Sequence, residues 1–169
     1  MDGFELRAAT PADAEAVAEY HDRCFRTTYS SQLTAGELGV PDLGGTKRQL
    51  EDWFRPGSGF ETLVAVVDGA PIAHVTTSGH HLVHLFVEPD HQHQGLGRHL
   101  LELGEATIAA DGHTTLELHA RVDNLGAIAF YETAGWTLTD RQIHTAEHGI
   151  TYDEHVLVKH ISDHRDGPP

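Results

Sequence analysis

The stretch HLFVEPDHQHQGLGRHLL, residues 84–101, runs from an apolar segment through Pro89 to two glycines and into a second apolar pattern. Residues 80–89 read as a strand that Pro89 ends. From Gly95 onward, Leu96, Leu100, Leu103 and Ile108 recur at helical spacing to about Ala110. A strand, a short loop and a helix start leave several amides without an intrahelical partner, aimed at one point. The helix dipole adds to them, so the turn suits an anion. Gly95 and Gly97 let backbone approach that anion with no Cβ in the way. Arg98 brings a positive charge, and His91 and His93 stand close by.

Two familiar phosphate motifs do not fit. G-x-x-x-x-G-K-[ST] is absent. The dinucleotide pattern G-x-G-x-x-G needs a third glycine where Leu100 stands, and it belongs after a first strand rather than a fourth.

Working outward, residues 62–77 (TLVAVVD, then GAP as a turn, then IAHVTT) read as a hairpin. Its first arm is continuously apolar, as in a strand covered on both faces. Upstream, FELRA (4–8) alternates as a strand. A helix follows, with Thr10 as N-cap and Pro11 at N1, presenting Ala14, Val17, Ala18 and Phe25 on one side. Residues 34–45 read as a Gly/Pro-rich loop, and 46–54 as a short second helix. Downstream, TTLELHAR (114–121) alternates, with Leu116, Leu118 and Ala120 on one face and Glu117 and His119 on the other. Residues 124–135 read as a helix between the N-cap Asn124 and a C-terminal Gly135. Two antiparallel strands close the pattern, and 162–169 read as a disordered tail.

The order β-α-α-β-β-β-α-β-α-β-β predicts an α/β fold: a mixed sheet of about seven mostly antiparallel strands flanked by about four helices, in one domain over 1–161. With 26 Asp+Glu against 11 Lys+Arg, the formal charge of -15 argues against a nucleic-acid partner. It favours a cationic one, though plain solubility explains it equally. An anion site is still compatible with that charge, because screening confines the deciding field to roughly 8 Å. The sequence has no secretory pattern at its start and no membrane-length apolar run, so a cytoplasmic protein without membrane contact is expected. Cys24 is the single cysteine, which excludes an internal disulfide or Cys-based metal cluster. No metal is expected from the fifteen histidines either: H-E-x-x-H is absent, and His81 and His84, three apart on a strand, face opposite sides.

The pattern Gln92-x-x-Gly95-x-Gly97 resembles the Q/R-x-x-G-x-G/A loop of the GNAT superfamily of N-acetyltransferases. RVDNLGAIAFYETAGW (121–136) resembles that family's N-x-x-A-x-x-x-Y-E-x-x-G-[FW] segment, and TLVAVVDGAPIAHV (62–75) its central hairpin. His93 departs from the pattern, standing where the family very often has glycine. The resemblance implies acetyl-CoA as cosubstrate. The main chain from Gln92 and His93 through Gln94, Gly95 and Leu96 to Gly97 and Arg98 would hold its pyrophosphate. Backbone groups of Leu85, Phe86 and Val87 would pair with the pantetheine and polarise the thioester carbonyl, with Asn124 and Ala127 further along the arm.

Acetyl transfer to an amine also needs a base and an acid. Tyr131, seven residues after Asn124 and on the same helix face, is the expected acid for the departing thiolate, while Phe130 and Leu125 read as helix packing. His81 and His119 are the expected bases; His84, Glu88 or water remain open. The first helix and residues 30–45, with Trp53 and Phe54, occupy the segments that shape the acceptor pocket in similar proteins. The expected acceptor is a small-molecule primary amine, with a cationic one favoured. A protein or peptide acceptor, and a non-catalytic acyl-CoA-binding module, are the alternatives. The resemblance also implies a homodimer through the last strands.

Overall fold

The computed structural model describes residues 3–30, 34, 42–147 and 150–161. The expected tail at 162–169 and residues 35–41 of the expected loop lie outside the described residues. Seven strands, β1 (Glu5–Ala8), β2 (Glu61–Val67), β3 (Ala70–Ser78), β4 (His81–Val87), β5 (Thr115–Arg121), β6 (Thr137–Glu147) and β7 (Ile150–His160), form one sheet in the order β1-β2-β3-β4-β5-β7-β6. Every neighbouring pair is antiparallel except β4 and β5. Among the described residues there are four α-helices: α1 (Ala14–Tyr29), α2 (Leu43–Trp53), α3 (Leu96–Ala110) and α4 (Leu125–Thr133).

The sheet is covered on both faces, which is why β2 is apolar from Leu63 to Val67. Its Val64 and Val66 pack with Val17, Tyr20 and Cys24 of α1 and Leu50 of α2. Its Ala65 turns the other way, into the core shared by Leu100 and Ile108 of α3 and Ile128 of α4. The β2–β3 turn is tighter than GAP suggests. Asp68 and Gly69, at φ 50° and 82°, are its two central residues, and Val67 already pairs with Ala70. Asp-Gly at left-handed φ twists in the sense that a hairpin requires.

Several local expectations shift. A 3-10 turn, Pro11–Asp13, precedes α1, and it is the Asp13 carboxylate that accepts the Thr10 N–H (2.8 Å) and hydroxyl (2.9 Å). Cys24 and Tyr29, rather than Phe25, carry the buried face of α1 to its end. α2 begins at Leu43, inside the expected loop, and the Asp42 carbonyl accepts its first bond from the Thr46 N–H at 2.9 Å. On α4, Leu125 is 72% exposed, against its expected packing role, while Phe130 packs against the core as expected and Tyr131 is buried in the cleft wall.

Helix α3 lies close on the sheet because Gly104 carries no side chain. A Cβ there would sit 2.8 Å from Val75 Cγ2 and 3.3 Å from Leu82 Cδ1, both in the core. Valine rotamers are stiff, so Val75 cannot swing aside. Replacing Gly104 with valine is expected to cost about 2–3 kcal/mol by overpacking. Urea unfolding should show a lower midpoint with an unchanged slope; an unchanged midpoint would mean that α3 shifts without cost.

Candidate active site

Strands β4 and β5 pair only at His81–Glu117 and Leu82–Leu118, then separate. The result is a cleft of about 740 Å³ between α1 and α2 on one side and α4 on the other. Its floor is the unpaired length of β4. The Glu88 N–H donates to Ile72 C=O at 2.8 Å, which fixes the phase of the β3–β4 ladder. In that phase Phe86 spends its backbone groups on β3, while those of Leu85 and Val87 turn toward the cleft. Phe86 instead lines the cleft with its ring. The Val87 carbonyl already accepts from Gln92 Nε2 (2.9 Å) and the Cys24 thiol (3.2 Å).

The glycine turn sits at the open end of β4. His93 takes the left-handed φ of 60° and Gly95 that of 86°. His93 therefore occupies a glycine-like conformation despite its side chain, at some cost in strain. The first bond of α3 is His99 N–H to Gly95 C=O, so the amides of Leu96, Gly97 and Arg98 precede the helix ladder. Residues 93–95 are exposed. A Cβ on Gly97 would lie in the gap between Val87 (3.5 Å) and Phe130 (3.9 Å), so packing alone does not demand glycine there. Arg98 is not a bare charge: it pairs with Glu102 (2.9 Å) and donates to Thr133 C=O (3.4 Å).

Asn124 caps α4 by accepting the Ala127 N–H at 3.1 Å, and Asn124, Ala127 and Tyr131 all line the cleft. Gly135, at φ 86°, ends that helix, and the Trp136 N–H returns to Tyr131 C=O. This closure fixes the Tyr131 backbone, and Phe130 and Trp136 meet its ring edge-on. Burial pushes the Tyr131 phenol well above its ordinary range.

At the vertex, where the strands part, His119 Nε2 bonds Glu117 Oε1 (3.0 Å), His81 Nδ1 lies 4.0 Å from the same oxygen, and Arg141 holds Glu117 Oε2 at 2.8 Å. Burial would raise the Glu117 carboxyl, but His119 and Arg141 together hold it below its usual range. Burial, then the neighbouring His80, lowers His81.

His81 and His84 both line this cleft, against the expectation of opposite faces. A bulge explains it: Thr76 faces His84 and Thr77 faces Leu82, leaving Val83 as the extra residue. One inserted residue shifts the alternation. His84 Nδ1 lies 3.4 Å from Nε2 of the fully buried His74, whose Nδ1 meets the Tyr20 hydroxyl. Glu88 is drawn away from the candidate bases, paired with Arg23 and absent from the cleft lining. Trp53 lines the cleft while Phe54 belongs to the core.

Two features escaped the sequence. Arg121 is held between the rings of Tyr29 (4.2 Å) and Tyr152 (4.7 Å) while it binds Asp123 through two bonds, closing one end of the cleft. Asp22 also lines the cleft, and its Oδ1 is buried with no hydrogen-bond partner among the described residues. No helix among the described residues is long and apolar enough to cross a membrane.

The model of the acetyltransferase (GNAT) family matches residues 15–136. A mycothiol acetyltransferase of Nocardiopsis dassonvillei is 30% identical over 153 residues, covering 83% of this chain and 42% of its own length. A ribosomal protein bS18-alanine N-acetyltransferase of Escherichia coli K12 is 46% identical over 55 residues, covering 32% of this chain and 37% of its own. This chain thus spans about two fifths of the length of these curated relatives. The crystal structure of the PaiA N-acetyltransferase of Thermoplasma acidophilum, in complex with coenzyme A, superposes with a TM-score of 0.78 at 19% identity, covering 94% of this chain and 99% of that one. At that identity the likeness is one of fold.

Proposed function

This chain belongs to the GNAT family of acetyltransferases, and from that premise we propose that it moves an acetyl group from acetyl-CoA to a primary amine of a small molecule by direct attack on the thioester. The observation that carries the reading is the parting of β4 from β5, with the amide-rich turn at one end of the gap and Tyr131 in its wall.

The amides from Gln94 to Arg98 receive the pyrophosphate. The outward backbone groups of Leu85 and Val87 pair with the pantetheine and steady the carbonyl as it gains charge. His119 takes the amine proton. Glu117 holds the His119 Nε2–H, which leaves Nδ1 as the accepting atom. Tyr131 returns a proton to the thiolate. The net charge of -15 favours a cationic acceptor, whereas Asp22 on the α1 side of the cleft is already paired with Arg26 at 2.6 Å.

The test is thiol release from acetyl-CoA across an amine library that includes peptides. Turnover with small amines is the expected result. Turnover only with peptides would move the acceptor to proteins, and calorimetric binding without turnover would make the chain a sensor. No binding of acetyl-CoA would end the proposal. His119→Ala is expected to lower kcat/KM about 100-fold, within the range of general base catalysis, and to remove the acid limb of its pH profile. His81→Ala should do less; the reverse pattern would transfer the role to His81, whose depressed pKa keeps it neutral to lower pH than an ordinary imidazole.

A further inference from the structure

His81, Glu117 and His119 each offer a ligand atom, and these atoms lie within 4.8 Å of one another. They come from two strands far apart in sequence, joined where β4 and β5 pair in parallel. We propose that this trio binds a divalent transition ion of the zinc class at the vertex of the cleft. Two imidazoles and one carboxylate form a donor set that such ions take in tetrahedral sites with an open fourth position. The separations of 3.0 and 4.0 Å about Glu117 Oε1 need only small side-chain shifts to bring three ligands to one ion. All three side chains are partly exposed, so those shifts are sterically open.

The surroundings favour the same assignment. Arg141 holds the other Glu117 oxygen, Oε2, and so orients the carboxylate as an outer partner orients a metal ligand. His80 and His113, with rings 5.9 Å apart, stand near His81 and add imidazole to the approach.

Resting on the proposed base role of His119, one consequence follows. With an ion on Nε2, the single proton of the neutral ring moves to Nδ1, the atom that accepts from the amine. Zinc therefore blocks the base, and its site is inhibitory rather than catalytic.

The experiment is titration of the full chain with ZnCl2, read by calorimetry, and with CoCl2, read by visible absorption, both without acetyl-CoA. One tight ion per chain and an intense tetrahedral cobalt spectrum, displaced by zinc, are expected. Glu117→Gln and His119→Ala should each weaken zinc by at least the roughly 10–100-fold that loss of an outer partner costs. His144→Ala, altering an exposed imidazole paired with Asp153, should leave it unchanged. Weak binding that all variants share, with only pale six-coordinate cobalt absorption, overturns the proposal, because the ions then sit on scattered surface histidines. The wild-type cobalt spectrum alone decides if a variant fails to fold. Neither readout depends on acetyl transfer, so failure here and failure of the transferase reading remain distinct.

Discussion

Tyr131→Phe is expected to lower kcat about 100-fold while acetyl-CoA binds nearly as before. The phenol is buried on α4, its ring fixed between Phe130 and Trp136, and its pKa is pushed up by burial. A phenol so shifted stays protonated across the working pH range, as an acid must. Phenylalanine keeps the ring and removes only the hydroxyl, so packing should survive and the loss should fall on the step that needs a proton. Steady-state kinetics with a fixed acceptor, alongside calorimetry with acetyl-CoA, separates the two quantities. If kcat is unchanged, Tyr131 is a packing residue and water protonates the thiolate. If binding collapses as well, the hydroxyl positions the arm rather than supplying the proton.

The second large effect is on stability. His74 is fully buried, and burial first, then the nearby His21, lowers its pKa to about 3. Unfolded, the same ring titrates near 6.5. Between those values the unfolded chain holds a proton that the native chain refuses, so stability is full above about pH 6.5 and is lost as pH falls toward 3. The slope is about 1.4 kcal/mol per pH unit, giving a loss of roughly 3 kcal/mol by pH 4.5. The groups facing His74 are Tyr20 from α1, His84 from β4, and His21. Asp13, lowered to about 2 chiefly by Arg7, acts in a separate window below its ordinary carboxylate range. Urea midpoints from pH 7 to 4 should fall steeply for the parent. His74→Gln should give a shallower curve from a lower start, because Tyr20 and His84 lose a fitted partner. Parallel curves would show that His74 takes up its proton without unfolding the chain.

What was legible in the sequence was local. Pro89, the helical spacing from Leu96, the apolar run of β2 and the caps at Asn124 and Gly135 each act within a few residues, and each sits in the element expected of it. Pairing between distant segments was not legible. Nothing in LVHL announces that Val83 bulges and so turns His81 and His84 to one side. The trio at the vertex exists only because residue 81 meets residue 117. Nothing along the chain marks His74 among fifteen histidines as the one that α1 covers with Tyr20. Nothing near Gly104 in the chain explains it, since its reason lies on Val75 of β3 and Leu82 of β4. A search along the chain cannot see side chains that converge across strands, and so His81, Glu117 and His119 were not read together.

Sheets are vulnerable at their rims, where an unsatisfied strand can recruit another molecule into a growing fibre. Besides its two rims, β1 and β6, this sheet has unpaired backbone in its middle, along β4 beyond Leu82, in a cleft lined by α1 and α4. Such a slot suits a slender, flexible molecule that can take up its hydrogen bonds from within the sheet. The unpaired length of β4 thus gives the fold an inner edge in addition to its two outer ones.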